Sequence, residues 1–171
     1  MTQTSLPLEQ RIDRLAEVAV RVGLGLREGQ ELVMTAPLDA LPLVRRITEH
    51  AYKAGASLVT TLLSDEEMTL ARFRHAPDSA FDTAPGWLFE GMGRAFAGNA
   101  ARLAITGEDP NLLSAQDPEK VSRANRARSK AYLPALERIV NFDINWTIAS
   151  YATPSWAVSY THLTLPTIYS V

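Results

Sequence analysis

Asp65, Glu66 and Glu67 form the densest acidic group in the chain. Adjacent carboxylates are the side chains that hold divalent cations or move protons, and these three follow an apolar run where α/β proteins gather ligands. The same residues sit inside "SDEE", a capping-box pattern with Ser64 at the N-cap and Glu67 three residues on. Carboxylates in a first helical turn also suit the helix dipole, so structure explains them better than chemistry. The histidines, His50, His75 and His162, show no H-E-x-x-H pattern and no Asp/Glu company at ligand spacing. His50 falls near the end of a helix, where the dipole favours a cation, and reads as a surface residue. His75 falls in a loop. No position is assigned as catalytic or as a metal ligand on these grounds.

Other chemistry is missing from the pattern. There is no G-x-G-x-x-G after a strand, no G-x-x-x-x-G-K-[ST] and no G-x-S-x-G elbow. "GLGLREG" precedes its strand, so its glycines read as turn residues. The absence of cysteine excludes disulfides, thiolate metal sites and a thiol nucleophile. One cation stands out. Projected at about 100° per residue, the helix "DPEKVSRANRARSKAYLPALERI" gathers Lys120, Arg123, Arg126 and Lys130 on a basic stripe, read as a solvated face. Arg128 instead lands on the apolar side with Val121, Ala124, Ala131, Tyr132, Ala135 and Ile139. An arginine there must snorkel, pair with a carboxylate or reach an interface, which makes Arg128 the candidate substrate or dimer contact.

The elements that would position these residues are legible. Residues 7–23 carry Leu8, Ile12, Leu15, Ala19 and Val22 at helical steps, with Gly23 as a stop. A strand is expected over 31–36. A helix over 39–54 follows, burying Leu43, Val44, Ile47, Ala51 and Tyr52 and ending at Gly55. "SLVTTLL" reads as a strand covered on both faces. Helices are expected over 64–74 and 86–98, and a strand in "ARLAITG". Asp117 and Pro118 open a long helix to about Ile139 with a kink at Pro134, and "NWTIASY" is a final strand. Strands alternating with helices predict an α/β fold with a largely parallel sheet and helices on both faces.

Bulk properties agree. The chain has 171 residues, 46% of them hydrophobic, and a net charge of −2, enough for one core and no electrostatic invitation to nucleic acid or anionic membrane. "MTQTSLPLEQ" lacks the basic start and apolar core of a signal peptide, and no stretch approaches a membrane span. A cytoplasmic protein is expected.

Three ordered blocks resemble a known family. "VGLGLREGQELVMTAPLDALPLVRRITEHAYKAGASLVTTLLSDEE" looks like the opening of the aminopeptidase T and aminopeptidase S type metallo-aminopeptidases. "AITGEDPNLLSAQDPEKVSRANRA" is similar to their central "G-E-D-P-x-x-L-x-x-x-D-P-x-K" segment. "NWTIASYATPSWA" resembles their "W-x-x-x-x-Y-P-T-x-x-W-A", with Ala152 where proline is usual. The resemblance implies homodimers that release N-terminal amino acids from peptides with two divalent metal ions, of the zinc or cobalt type. It also implies that the metal ligands lie in a C-terminal domain to which nothing after Ala157 is similar. Residues 1–157 are therefore expected to be the N-terminal α/β domain of a larger two-domain enzyme. Alone it is expected to hold no metal cofactor and to be inactive. The rival expectation is a stand-alone module for a small acidic or phosphorylated ligand, built on loops beside Asp39 and on Arg128.

The tail reads differently. "VSYTHLTLPT" looks like a translation of a common transposase-based sequencing adapter, in frame and in residue order. Residues 158–171 are expected to be non-native, and His162 with them.

Overall fold

The structure, a computed structural model, describes residues 6–153 and Trp156. The junction at Ala157, the tail 158–171 and His162 lie outside the described residues. Four strands form one sheet: β1 (Glu31–Pro37), β2 (Leu58–Ser64), β3 (Ala101–Thr106) and β4 (Trp146–Ser150). Their order is β2-β1-β3-β4 and every pairing is parallel. Parallel neighbours need crossovers, and helices supply them. These are α1 (Leu8–Val18), α2 (Leu41–Lys53), α3 (Glu66–His75), α4 (Gly86–Ala97) and α5 (Pro118–Val140). Short 3-10 turns cover Leu38–Ala40 and Asp78–Asp82. The α/β expectation holds.

Side chains alternate across the pleat and build a core on each face. Leu32, Met34 and Ala36 of β1, with Leu103 and Ile105 of β3, pack beneath Leu43, Ile47 and Ala51 of α2 and Val20 from the first helix. On the other face Val33 of β1 meets Phe89, Met92 and Phe96 of α4 and Ala135 and Ile139 of α5. Each fully buried leucine or phenylalanine in these layers is worth roughly 2–3 kcal/mol of transfer energy.

Several local expectations change. The first helix passes into a π-helical turn over Ala19–Leu24 and is capped at Gly25, not at Gly23. A wider turn shifts the phase of the apolar face, so Val20 and Leu24 are buried while Val22 is exposed; Leu8, at the start of the helix, is exposed as well. Among the described residues strand β2 is an edge strand that pairs only with β1, and Leu58 and Leu63 are about half exposed rather than covered. Its β-branched, apolar composition carries no information about which side lacks a neighbour. Asp65, not Ser64, caps α3: its Oδ1 accepts from the Met68 amide at 2.8 Å. Tyr52 is exposed, its hydroxyl accepting from the Val59 amide at 3.2 Å. Gly55 does take the left-handed conformation at the end of α2, at φ 93°.

Candidate functional site: a cationic crevice at the strand ends

The connections leaving β1 and β3 run to opposite faces. After β1 the chain enters α2 on one side, and after β3 it enters α5 on the other. Adjacent strands whose loops part in this way leave a crevice beyond their C-terminal ends. A cavity of about 450 Å³ occupies the α4/α5 side of that region. Its floor is formed by Thr35 of β1, Leu62 of β2 and Arg102 of β3, and its walls by α3, α4 and α5.

Arg128 lines this cavity from α5. It is exposed, and no carboxylate among the described residues pairs with it. Tyr132 lies one turn further along the same helix face and lines the cavity too. Arg102 rises from the sheet. Because Ala101, Leu103 and Ile105 point into the α2 side, the pleat sends Arg102 to the α4/α5 side. Its Nε and the Tyr132 hydroxyl are buried without a hydrogen-bond partner among the described residues. Such atoms are uncommon, since leaving a polar group buried and unpaired costs about 1–3 kcal/mol. Glu108 is the carboxylate that lines the cavity, and it accepts from the Gly107 amide at 3.1 Å.

Sequence reasoning passed over Arg102. The available signal was a charge at the second position of an otherwise apolar central strand, "ARLAIT". Asp39, proposed with Arg128 for ligand loops, sits exposed in the Leu38–Ala40 turn and does not line the cavity.

The acidic group beyond β2 is occupied with structure. Asp65 caps α3, Glu66 accepts from the Asp109 amide at 2.7 Å, and Glu67 lies 3.7 Å from Arg74. His50 is buried rather than on the surface, its Nε2 3.0 Å from Asp13 Oδ1, and so ties α2 to α1. His75 is exposed in the last turn of α3. Among the described residues no group of three His, Asp or Glu side chains converges as a metal site requires.

The basic stripe of α5 is also less free than its pattern suggests. Arg123 is 21% exposed and forks onto Asp78 and Asp82 of the second 3-10 turn. This bidentate hydrogen bonding raises the Arg123 pKa and lowers that of Asp82. Between them the fully buried Phe81 ring is approached by Lys120 at 5.4 Å and Arg72 at 5.7 Å. The turn is thereby pinned between α3 and α5.

The model for the thermophilic metalloprotease (M29) family matches residues 8–164. The chain belongs to this family. Among its relatives, aminopeptidase T of Thermus thermophilus is 50% identical over 149 residues, which is 87% of this chain and 36% of that protein. Aminopeptidase 2 of Geobacillus stearothermophilus is 37% identical over the same shares of the two chains. The solved structure of wild-type AmpT from Thermus thermophilus superposes with a TM-score of 0.86 at 48% identity, covering 90% of this chain and 38% of that one. The chain thus spans about a third of the length of the curated metalloprotease relatives it matches. The resemblance drawn from the three sequence blocks stands at the level of the family and the fold.

Proposed function

We propose that residues 1–157 are the N-terminal α/β domain of an aminopeptidase that releases N-terminal amino acids from peptides with two divalent metal ions of the zinc or cobalt type. The supporting observation is the unequal coverage: half the residues are identical to aminopeptidase T across most of this chain, but across only 36% of that protein. The described residues gather no group of three His, Asp or Glu side chains that could hold a metal ion. In this reading the donors belong to the part of the relatives that this chain does not span, and the chain alone is inactive. The parent works in the cytoplasm as a homodimer. Among the described residues no helix is long and apolar enough to cross a membrane. Arg128, exposed at the mouth of the cavity, is the residue we assign to contact with substrate or with the dimer partner.

Residues 158–171 form no part of the enzyme in this proposal, although the family match runs on to residue 164. Resequencing the source locus from the codon of Ser155 with adapter-free chemistry tests the junction. A frame that continues past Ala157 into a Glu- and His-bearing domain is the expected result. The activity is tested with leucine p-nitroanilide and added zinc or cobalt, comparing the 171-residue chain with the extended one. Turnover by the extended chain alone is expected. Metal-dependent turnover by the short chain, or none by the extended one, would overturn the assignment.

A further inference from the structure

Arg102 poses an electrostatic problem that the described residues leave unsolved. It is a guanidinium partly buried under two helices in a central strand, with neither ion pair nor side-chain hydrogen bond among the described residues. Charges removed from water in this way are ordinarily paired. Arg128 reaches the same cavity from α5, and among the described residues neither it nor the Tyr132 hydroxyl, which lines the cavity too, has a partner. Arg72 lines the cavity as well but is committed to the Ala80 and Thr83 carbonyls at 2.7 and 3.1 Å. Glu108 offsets one of these three positive charges.

We propose that the crevice framed by Arg102, Arg128 and Tyr132 is a binding site for a small molecule with a carboxylate head and an apolar body. The two free guanidiniums supply planar forks that match a carboxylate, and the tyrosine hydroxyl supplies a third donor. The rest of the lining suits an apolar body: Leu62, Phe73, Leu88, Phe89 and Met92 offer apolar surface, with Thr35, Thr69 and Asn125 among the polar groups beside them. The volume of about 450 Å³ falls in the range of small-ligand pockets, and the position beyond the strand ends is where open parallel sheets bind them. This inference takes up the substrate side of the Arg128 assignment, and its test concerns the chain alone and needs no metal, so it can fail without the peptidase reading failing.

The test is calorimetric titration and thermal denaturation of the 171-residue chain, metal-free, with 4-methylpentanoate, 4-methylpentanamide and inorganic phosphate. The carboxylate should bind and raise the midpoint, and the isosteric amide and phosphate should do neither. Arg128→Gln should weaken carboxylate binding about tenfold, the loss of one charge-assisted hydrogen bond. Since Arg128 is exposed, its unliganded melting curve should match the parent, which separates lost binding from lost folding. Tyr132→Phe should weaken binding less than Arg128→Gln does. No binding of the carboxylate at millimolar concentration would overturn the site. Equal binding of the amide would reduce it to an apolar hollow, and tighter binding of phosphate would refute the assigned ligand class.

Discussion

Gln30 and Asn145 exchange two amide hydrogen bonds across the N-terminal edge of the sheet, 2.6 Å from Nε2 to Oδ1 and 3.1 Å from Nδ2 to Oε1. They are 115 positions apart. Gln30 Nε2 also donates to the Asn99 carbonyl at 2.8 Å, and Asn145 Nδ2 to the Leu24 carbonyl at 3.0 Å. The pair therefore joins the starts of β1 and β4 to the end of the first helical segment and to the turn before β3. Each side chain satisfies backbone groups that the sheet ladder leaves over.

Removing one amide should leave the other buried and short of partners. Asn145→Ala is expected to cost about 2 kcal/mol in urea denaturation of the 171-residue chain. A change of less than about 0.5 kcal/mol, the ordinary scale of surface substitutions, would show that water replaces the lost amide.

Gly107 is required by its surroundings. Its φ is 146°, and a Cβ there would lie 1.9 Å from the Tyr151 carbonyl oxygen. Thr153 Oγ1 donates to the Gly107 carbonyl, so the backbone has no room to withdraw. Gly107→Ala should destabilise the chain by about 3 kcal/mol or more, read from the shift in denaturation midpoint. An unchanged midpoint would mean that the strand end moves freely.

The Asp82–Arg123 pair should make stability depend on acid. Hydrogen bonding to Arg123 lowers the Asp82 pKa in the folded state, with the desolvation of its position opposing. A group with a lowered folded pKa contributes above its unfolded pKa and loses that contribution as pH falls through the folded value. Asp82→Asn should therefore lower the melting midpoint at pH 7, and the gap from the parent should close below about pH 4. A gap that is constant from pH 7 to pH 2 would assign the effect to packing instead.

Metal should leave this chain's stability alone. With no three donors brought together among the described residues, zinc or cobalt at tens of micromolar should not raise the melting midpoint, and chelator should not lower it. A specific metal-dependent rise would reveal a ligand set, by the linkage of binding to folding.

Much of the fold could be read in the sequence because its signals are local. Asp117 and Pro118 open α5 through one side-chain bond, Asp117 Oδ1 accepting from the Glu119 amide at 2.8 Å. Gly55 ends α2 because its backbone turns left-handed there. Alternating apolar segments gave the strand–helix order, and that order requires parallel pairing. Shared motif residues along the chain were enough to name the family.

The set of elements, their order, the α/β class and the family were therefore legible in the residues alone. Long-range packing put β2 at one edge of the sheet, and so left Leu58 and Leu63 half exposed. It buried His50 against Asp13, because a helix-end histidine looks the same in sequence whether or not another helix covers it. It also brought Arg102 to the same cavity as Arg128 and Tyr132, residues on separate elements whose convergence depends on how α5 crosses the sheet. Propensity, capping and periodicity act within a few residues, whereas burial and charge pairing depend on neighbours supplied by distant segments.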